Sequence, residues 1–373
     1  MVEKQKVTPW DVKGNVDYEK LIKEFGVSKI DGKLLKRIDQ HAKDLHFMLR
    51  RGVFFAHRDL DWILDKYEKG NKFFLYTGRA PSGKVHLGHL LPWMFTKWLQ
   101  EKFGVELWFQ FPNEEKFLFN KKLSFEKAQE YLKDNMLDVI ALGFDAKKTH
   151  FIIDTKHADL MYPEACKVAK KITFSMVKSS FGLNEQSNIG LIFYTSMQAV
   201  PSFLPSILKN KEIPCLIPHA IDQDPHFRLT RDIMPKIGHY KPASVQCLFL
   251  PPLLGTDGKM SSSENSSIFT TDTPKEVANK IKKYAFSGGQ KTLEEHRKKG
   301  GNPDIDVSFQ YLKMMFEPDD AKLAQVEADY RSGKMTTGEL KDYTIKKINE
   351  FLKEHQKKRI EAKKVIDNFV FKG

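Results

Sequence analysis

The amino-acid sequence predicts an α/β fold, in which a domain built on a parallel sheet, with a helical insertion, precedes an all-helical C-terminal domain. Three observations support this prediction. Short, almost uninterrupted apolar segments such as 73–76 are typical of strands buried on both faces of a parallel sheet. These segments alternate with amphipathic helical patterns, as in βαβ units. Beyond Lys259 the strand signals end and only helical patterns remain.

The first βαβ unit begins near residue 71. Its apolar strand is followed by a turn rich in glycine, proline and serine. Apolar residues then recur at three- and four-residue spacing over 89–103, which predicts a helix that ends at Gly104. Residues 105–111 are predicted to be the next strand. Strand, glycine turn, helix and strand form the first half of a Rossmann-like nucleotide-binding domain, in which ligands lie at the carboxyl ends of the strands.

Changes of pattern along the chain predict three regions. Residues 1–70 would form an N-terminal appendage made of a hairpin and helices. Residues 71–265 would form the Rossmann-like domain, with a mostly helical insertion at about 113–213. Residues 266–373 would form the helical domain, because a capping box at 273–276 begins a helix there.

The composition excludes several classes of protein. Lys and Arg number 61 against 48 Asp and Glu, a net charge of +13 that favours a polyanionic partner such as nucleic acid. Three cysteines with no C-x-x-C pair exclude a disulfide framework and a cysteine zinc site, and no apolar run approaches the roughly 18 residues that span a bilayer. The N-terminal residues carry neither a secretory signal nor a transit-peptide pattern, so we expect a cytoplasmic protein.

The turn at residues 76–89 is the most informative segment of the chain. Gly78 and Gly83 permit close approach of a ligand to the backbone. The helix that follows directs unpaired N–H groups and the positive end of its dipole at the turn, which suits phosphate. Arg79 would add a fixed positive charge.

Two histidines begin that helix. His86 and His89 can project towards the same ligand, and Gly88 between them leaves a flat floor for an adenine or a ribose. Histidines in a turn often only cap a helix, but the position of H-x-G-H between strand and helix favours ligand binding. With the preceding T-G-x-x-P-S-G, the segment resembles the signature of class I aminoacyl-tRNA synthetases in the form seen in the tyrosyl and tryptophanyl branch. The resemblance implies ATP binding by Thr77, Gly78, Arg79, His86, Gly88 and His89, with Arg79 and both histidines catalytic.

The same family carries a K-M-S-K-S loop at the end of the nucleotide-binding domain. Here Lys259, Met260, Ser261, Ser262 and Ser263 follow a predicted strand, as the family requires. A loop with one lysine and several hydroxyls can close over a triphosphate and neutralise the charge that develops on departing pyrophosphate. We expect Lys259, Ser261 and Ser263 to be catalytic and Met260 to contact ATP. Ser262 replaces the usual second lysine, which makes dependence on Mg²⁺ more important.

Further segments indicate which amino acid is used. Residues 220–225 (A-I-D-Q-D-P) and 306–309 (D-V-S-F) closely resemble eukaryotic and archaeal tryptophanyl-tRNA synthetases, and similar segments extend over nearly the whole chain. An indole needs an apolar slot and an acceptor for its ring N–H, which the amide of Gln110 at a strand end can supply unless it is satisfied locally. Pro112 and Asn113 depart from the T-D-D-E form of relatives. The resemblance assigns these residues to the tryptophan pocket: Tyr76, Gln110, Glu115, Gln198 and Gln223.

The resemblance implies a tryptophan–tRNA ligase activity. L-Tryptophan and ATP would give tryptophanyl-adenylate and pyrophosphate, and the amino acid would then pass to the 3′ end of tRNA(Trp). Mg²⁺ would be held mainly by the ATP phosphates and by no protein metal site, and the enzyme would be a homodimer. The basic run Lys357, Lys358 and Arg359 would contact tRNA, although a solvated helix face is the simpler alternative. A tyrosyl-tRNA synthetase, a small-molecule adenylyltransferase and a non-catalytic RNA-binding relative are the rival interpretations.

Overall fold

The computed structural model describes residues 6–7, 12–13, 17–256, 259–260 and 266–373. The strands are β1 (Lys6–Val7), β2 (Val12–Lys13), β3 (Ser28–Lys29), β4 (Phe54–Arg58), β5 (Phe74–Gly78), β6 (Leu107–Phe111), β7 (Thr149–Ile153), β8 (Cys215–Ala220) and β9 (Ala243–Cys247). The α-helices are α1 (Tyr18–Phe25), α2 (Gly32–Ala42), α3 (Phe47–Arg50), α4 (Leu60–Glu68), α5 (Leu87–Phe103), α6 (Glu115–Phe119), α7 (Phe125–Ala141), α8 (Ala158–Ala169), α9 (Phe174–Phe181), α10 (Ile189–Met197), α11 (Leu204–Leu208), α12 (Asp224–Ile233), α13 (Pro274–Tyr284), α14 (Leu293–Lys299), α15 (Val307–Tyr311), α16 (Asp320–Arg331) and α17 (Thr337–Ala362).

The main sheet has seven strands in the order β3-β4-β9-β8-β5-β6-β7. Strands β5 to β9 are mutually parallel, whereas β4 is antiparallel to both β9 and β3. From the central β5 the chain moves outward through β6 and β7, and then returns to the other side of β5 through β8 and β9. This is the doubly wound order, and it places a topological switch point between β5 and β8, where such sheets bind ligands. The predicted Rossmann-like α/β fold is therefore confirmed.

The first βαβ unit agrees with its sequence pattern. Helix α5 buries its apolar residues against the sheet and ends at Gly104, whose φ of 62° is the left-handed conformation typical of a helix C-cap. Strand β6 is buried along its whole length, as expected for a strand covered on both faces.

The N-terminal region differs from the appendage that its sequence predicts. Strands β1 and β2 do pair as a small antiparallel hairpin, and residues 8–11 between them lie outside the described residues. However, β3 and β4 join the main sheet instead of lying apart from it. The basic residues His57 and Arg58 interrupt the apolar pattern of β4, but Phe54 is buried and stacks on Phe95 of α5 at 3.8 Å between ring centroids. That packing attaches the region to the sheet domain.

The described C-terminal residues 266–373 form helices and no strand longer than an isolated bridge. The capping box at Thr273 begins α13, as predicted, and a second capping box at Thr336 begins α17. Helix α17 packs along α7, and the chain end then returns to the sheet, where the Phe151 N–H donates to the Phe369 carbonyl at 2.7 Å. No helix among the described residues is long and apolar enough to cross a membrane.

Candidate active site

A cavity of about 1070 Å³ opens at the carboxyl ends of β5 and β8, at the switch point of the sheet. It brings together every described residue that the sequence predicts for ATP or amino-acid binding. These lining residues are Tyr76, Thr77, Gly78, Arg79, His86, Gly88, His89, Gln110, Glu115, Gln198, Gln223, Lys259 and Met260. Ser261 and Ser263 lie outside the described residues.

The turn after β5 is packed directly on β6. A Cβ atom at Gly78 would lie 2.8 Å from the backbone oxygen of Gln110, so only glycine allows this approach without a shift of the backbone. The backbone N–H of Arg79 donates to that same oxygen at 2.9 Å. This contact fixes the start of the turn, from which Arg79 enters the cavity.

The two histidines of H-x-G-H stack on each other at the start of α5. Their ring centroids are 3.5 Å apart, and the backbone N–H of His86 donates to Nδ1 of His89 at 3.2 Å. Burial, together with the nearby charge of Arg79, lowers the pKa of both histidines well below 6.5. Both imidazoles are therefore neutral at pH 7, and they can serve as hydrogen-bonding groups but not as cations. Gly88 is held close to the His86 ring, since a Cβ there would lie 3.2 Å from it.

Arg79 carries a charge with few local partners. Its Nε and Nη2 atoms are buried and have no hydrogen-bond partner among the described residues. Burial lowers the pKa of Arg79 to about 10, so the side chain remains charged at neutral pH. A partly buried cation with unused donors is costly for the ligand-free protein and fits an anion such as phosphate. We call the part of the cavity that holds the cations Arg79 and Lys259, together with the neutral His86 and His89, the cationic end.

Lys259 reaches the cavity from the predicted loop. Its Nζ lies 2.5 Å from Oδ2 of Asp222, and the lysine side chain is 30% exposed. Asp222 belongs to the A-I-D-Q-D-P segment after β8, and sequence analysis gave it no role. The sequence shows that Asp222 is acidic, but nothing in the sequence indicates that it pairs with Lys259.

Another part of the cavity lining is a chain of neutral hydrogen-bonding groups, Tyr76, Gln110 and Gln198, which we call the amide end. The Tyr76 hydroxyl donates to Oε1 of Gln110 at 2.6 Å, and Nε2 of Gln198 donates to the same oxygen at 3.1 Å. Nε2 of Gln198 also donates to the Tyr76 hydroxyl, and Tyr194 donates to Oε1 of Gln198. Tyr194, which sequence analysis did not assign, therefore closes the chain.

Other predicted pocket residues lie near the amide end. Glu115 is buried and pairs with Lys116 at 2.8 Å, while Gln223 lies in the cavity wall. Asn113, which departs from the family form, turns away from the cavity and donates from Nδ2 to the Thr155 hydroxyl at 2.7 Å. Its role is thus to hold the loop after β6 against the end of β7.

The basic C-terminal run is not part of the cavity lining. Lys357 and Lys358 are exposed on α17, as a contact with nucleic acid requires. Arg359 differs from the prediction, because it is buried and pairs with Asp134 at 2.6 Å and with Asp138 on α7. His355 contacts the same Asp138 at 2.9 Å. Arg359 therefore joins α17 to α7, and only the two lysines present their charge to solvent.

Comparison with known proteins gives one consistent family. Residues 68–353 match the family model of the class I tRNA synthetases (W and Y). The chain is 53% identical to the tryptophan–tRNA ligase of Sulfurisphaera tokodaii over 100% of this chain and 97% of that one, and 48% identical to that of Pyrococcus furiosus over 100% and 96%.

Solved structures agree with the sequence relatives. The tryptophanyl-tRNA synthetase of Plasmodium falciparum superposes with a TM-score of 0.90 at 43% identity, covering 95% of this chain and 98% of that one. The enzyme of Aeropyrum pernix superposes with a TM-score of 0.87 at 29% identity, covering 95% and 96%. The chain therefore belongs to the class I tRNA synthetases of the tryptophan and tyrosine group, and within that group to the tryptophan–tRNA ligases.

Proposed function

We propose that this chain is an enzyme that activates L-tryptophan with ATP and transfers it to the 3′ end of tRNA(Trp). One observation carries the proposal: a single cavity has unsatisfied positive charge at one end and a neutral amide network at the other. The first suits the phosphates of ATP, and the second suits an indole whose only polar group is an N–H donor.

In the first step, the tryptophan carboxylate attacks the α-phosphorus of ATP and pyrophosphate leaves. No protein nucleophile is needed, so catalysis depends on positioning and on stabilisation of charge. Arg79 offers free N–H donors to the phosphates, and the positive end of the α5 dipole, at Gly88 and His89 of the cavity lining, would favour their negative charge. Lys259 would leave Asp222 to contact the departing pyrophosphate, and Ser261 and Ser263 would add hydroxyl donors.

In the second step, a hydroxyl of the terminal tRNA ribose attacks the acyl carbon of the adenylate and AMP leaves. The neutral imidazoles of His86 and His89 can hydrogen-bond the nucleotide without adding charge to the leaving phosphate. Tyr76, Gln110 and Gln198 would hold the indole, while Glu115 and Gln223 would contact the α-ammonium group of the substrate.

Mg²⁺ belongs to the proposal as a companion of ATP. Among the described residues no group of three or more His, Cys, Asp or Glu side chains is arranged to hold a metal ion. The cavity carboxylates of Glu115 and Asp222 already pair with Lys116 and Lys259. These residues fit an ion that is bound through the phosphates, where it would neutralise part of their charge.

Transfer to tRNA would use the exposed face of α17. Reversing both exposed charges, Lys357→Glu with Lys358→Glu, should raise KM for tRNA and flatten its salt dependence, because fewer counterions are released on binding. Tryptophan-dependent exchange without tRNA should persist. Lys20→Glu with Lys23→Glu on α1 makes the same change of net charge elsewhere and serves as the control. If KM for tRNA is unaltered at low and at high salt, the two lysines do not contact tRNA and belong only to a solvated helix face.

We also propose a homodimer and a cytoplasmic location. Tyr162 and Ile189 are 57% and 84% exposed, and the Tyr162 ring lies 5.8 Å from that of Phe193, so α8 and α10 share an exposed apolar surface of the kind that associates. Light scattering of wild type and of Ile189→Asp tests this interface.

The free, buried thiols of Cys215 and Cys247 fit a reducing compartment.

The test of the activity is ATP–pyrophosphate exchange with L-tryptophan and with L-tyrosine. We expect exchange with tryptophan and at least about a hundredfold less with tyrosine, because the acceptor at the amide end would be placed for an indole N–H and not for a phenol hydroxyl. Preference for tyrosine would support the tyrosyl alternative. Exchange with neither amino acid would support a small-molecule adenylyltransferase or a non-catalytic protein.

A further inference from the structure

The amide of Gln110 is held from outside the cavity by a buried carboxyl group at the end of β7. We propose that Asp154 is a positioning residue, which fixes the amide of Gln110 so that its carbonyl oxygen faces the pocket and selects an indole N–H. This inference rests on the proposed function, since it concerns how the tryptophan side chain is recognised. Asp154 does not line the cavity and so acts through Gln110.

The geometry of the contact is specific. Nε2 of Gln110 donates to Oδ1 and Oδ2 of Asp154 at 3.1 and 2.8 Å. Both side chains are 1% exposed, so no solvent competes for these bonds. With its nitrogen bound to Asp154, the amide directs its oxygen to the opposite side, where Tyr76 and Gln198 donate to it.

The reverse orientation of Gln110 is excluded by its neighbours on both sides. A flipped amide would put its NH₂ group against Nε2 of Gln198, which is already a donor, since Oε1 of Gln198 accepts from Tyr194. The same flip would place the Gln110 oxygen against the Asp154 oxygens, so both hydrogen bonds from Gln110 to Asp154 would be lost. Asp154 and Gln198 therefore hold one orientation together, and Asp154 is the partner that lies outside the cavity lining.

Asp154 can do this without placing a charge beneath the substrate. Burial raises the pKa of Asp154 well above its usual range, and the neighbouring Glu114 raises it further. A proton on Asp154 would remove its charge and still leave a carboxyl oxygen that accepts from Gln110.

Two substitutions separate orientation from simple packing. Asparagine at position 154 carries no charge and keeps a carbonyl oxygen that can accept from Gln110, as the protonated acid would. Leucine has a similar volume but accepts nothing, so the Gln110 amide is free to turn its donor to the pocket. We therefore expect Asp154→Asn to keep tryptophan recognition and Asp154→Leu to lose it.

The experiment measures ATP–pyrophosphate exchange with L-tryptophan and with 3-(benzothiophen-3-yl)-L-alanine, in which sulfur replaces the ring N–H. Wild type should prefer tryptophan in kcat/KM by at least about tenfold. Asp154→Leu should raise KM for tryptophan by about tenfold with kcat within about twofold, and should reduce the preference to within about threefold. Asp154→Asn should retain the wild-type preference. Should the leucine variant fail to fold, Asp154→Ala, which also removes the acceptor, gives the same comparison.

The control is Thr155→Val, which removes the neighbouring hydrogen bond from Asn113 and leaves Gln110 untouched. It should change the free energy of unfolding but not the preference for the N–H group. An Asp154→Leu enzyme that keeps the wild-type preference overturns the proposal, as does an Asp154→Asn enzyme that loses it. Wild type that shows no exchange with tryptophan contradicts the proposed function instead, so the two failures are distinguishable.

Discussion

The two ends of the cavity hold their polar groups in opposite ways. At the cationic end, Arg79 keeps buried nitrogens without a hydrogen-bond partner among the described residues, and both histidines are neutral. At the amide end, Tyr76, Gln110 and Gln198 satisfy one another in a continuous chain. One end is therefore unsatisfied until an anion binds, whereas the other is ordered before substrate arrives. The difference indicates that charge at the first end serves the chemical step, and that preorganisation at the second serves discrimination.

Removal of the unpaired cation should have the largest effect. Arg79→Met should lower kcat/KM for ATP by at least about a hundredfold, since a preorganised donor to a developing charge is lost. The free energy of unfolding should rise by about 1 kcal/mol, because a buried charge with unused donors no longer has to be accommodated. Exchange kinetics and urea unfolding measure the two quantities. Lys84→Met removes a charge from the same turn and is the control, for which we expect a smaller loss of kcat/KM. An Arg79→Met variant that is less stable than wild type would contradict the account.

The buried acid Glu114, which lies behind the amide end, should make the protein less stable as pH rises. Burial raises the pKa of Glu114 to about 7, so the folded protein keeps a proton that the unfolded chain loses near pH 4.5. Stability from this proton is full below about pH 4.5 and is lost as pH rises to about 7. Glu114→Gln should remove this loss and gain about 2 kcal/mol relative to wild type between pH 5 and pH 8. Urea unfolding across that range checks it, and parallel curves for the two proteins would refute it.

The loop lysine should matter for chemistry and not for amino-acid binding. Lys259→Ala should slow adenylate formation by at least about tenfold, because about 1.4 kcal/mol is a modest demand on a contact with developing charge. Presteady-state formation of adenylate measures this step. Asp222→Asn, which frees Lys259 without removing it, should slow the step less than Lys259→Ala does. An unchanged chemical step in the alanine variant would remove Lys259 from the mechanism.

The cationic end should show the opposite pH dependence. The pKa values of His86 and His89 lie well below 6.5 in the folded protein, so only the unfolded chain takes up these protons as pH falls below 6.5. Stability is therefore lost towards acid. The double substitution His86→Asn with His89→Asn should make that loss shallower, although His46 and His226, with pKa values lowered to about 4 by burial, keep part of it. Unfolding at pH 7, 6 and 5 measures the slope, and an unchanged slope would count against neutral histidines.

The cationic end could be predicted from the sequence far better than the partners of the amide end. Arg79, His86 and His89 lie within one turn, and the strand and helix around that turn have clear patterns. Asp154 directly follows β7, whereas Gln110 is on β6, 44 residues away in the chain, and no local pattern pairs a carboxyl group with that amide. Such a contact depends on the register of β6 and β7, which only the folded sheet defines.

The burial of Arg359 could have been predicted from its spacing along the helix. The run of three basic residues on α17 has uniform charge, but a helix turns by about 100° per residue and so directs neighbours to different faces. His355 and Arg359 are four residues apart and fall on the buried face with Leu352 and Ala362. That spacing predicts that Arg359 faces α7, and Asp138 supplies the acid that allows its burial.

The most direct test of the difference between the two ends is the Kd for L-tryptophan in the absence of ATP, measured by calorimetry. Gln110→Leu should weaken tryptophan binding by at least about tenfold, because the indole N–H loses its acceptor in a dry pocket. Arg79→Met should leave the Kd within about twofold of wild type, since its free donors await phosphate. Weaker binding in the Arg79 variant, or unchanged binding in the Gln110 variant, would contradict the separation of charge and discrimination between the two ends.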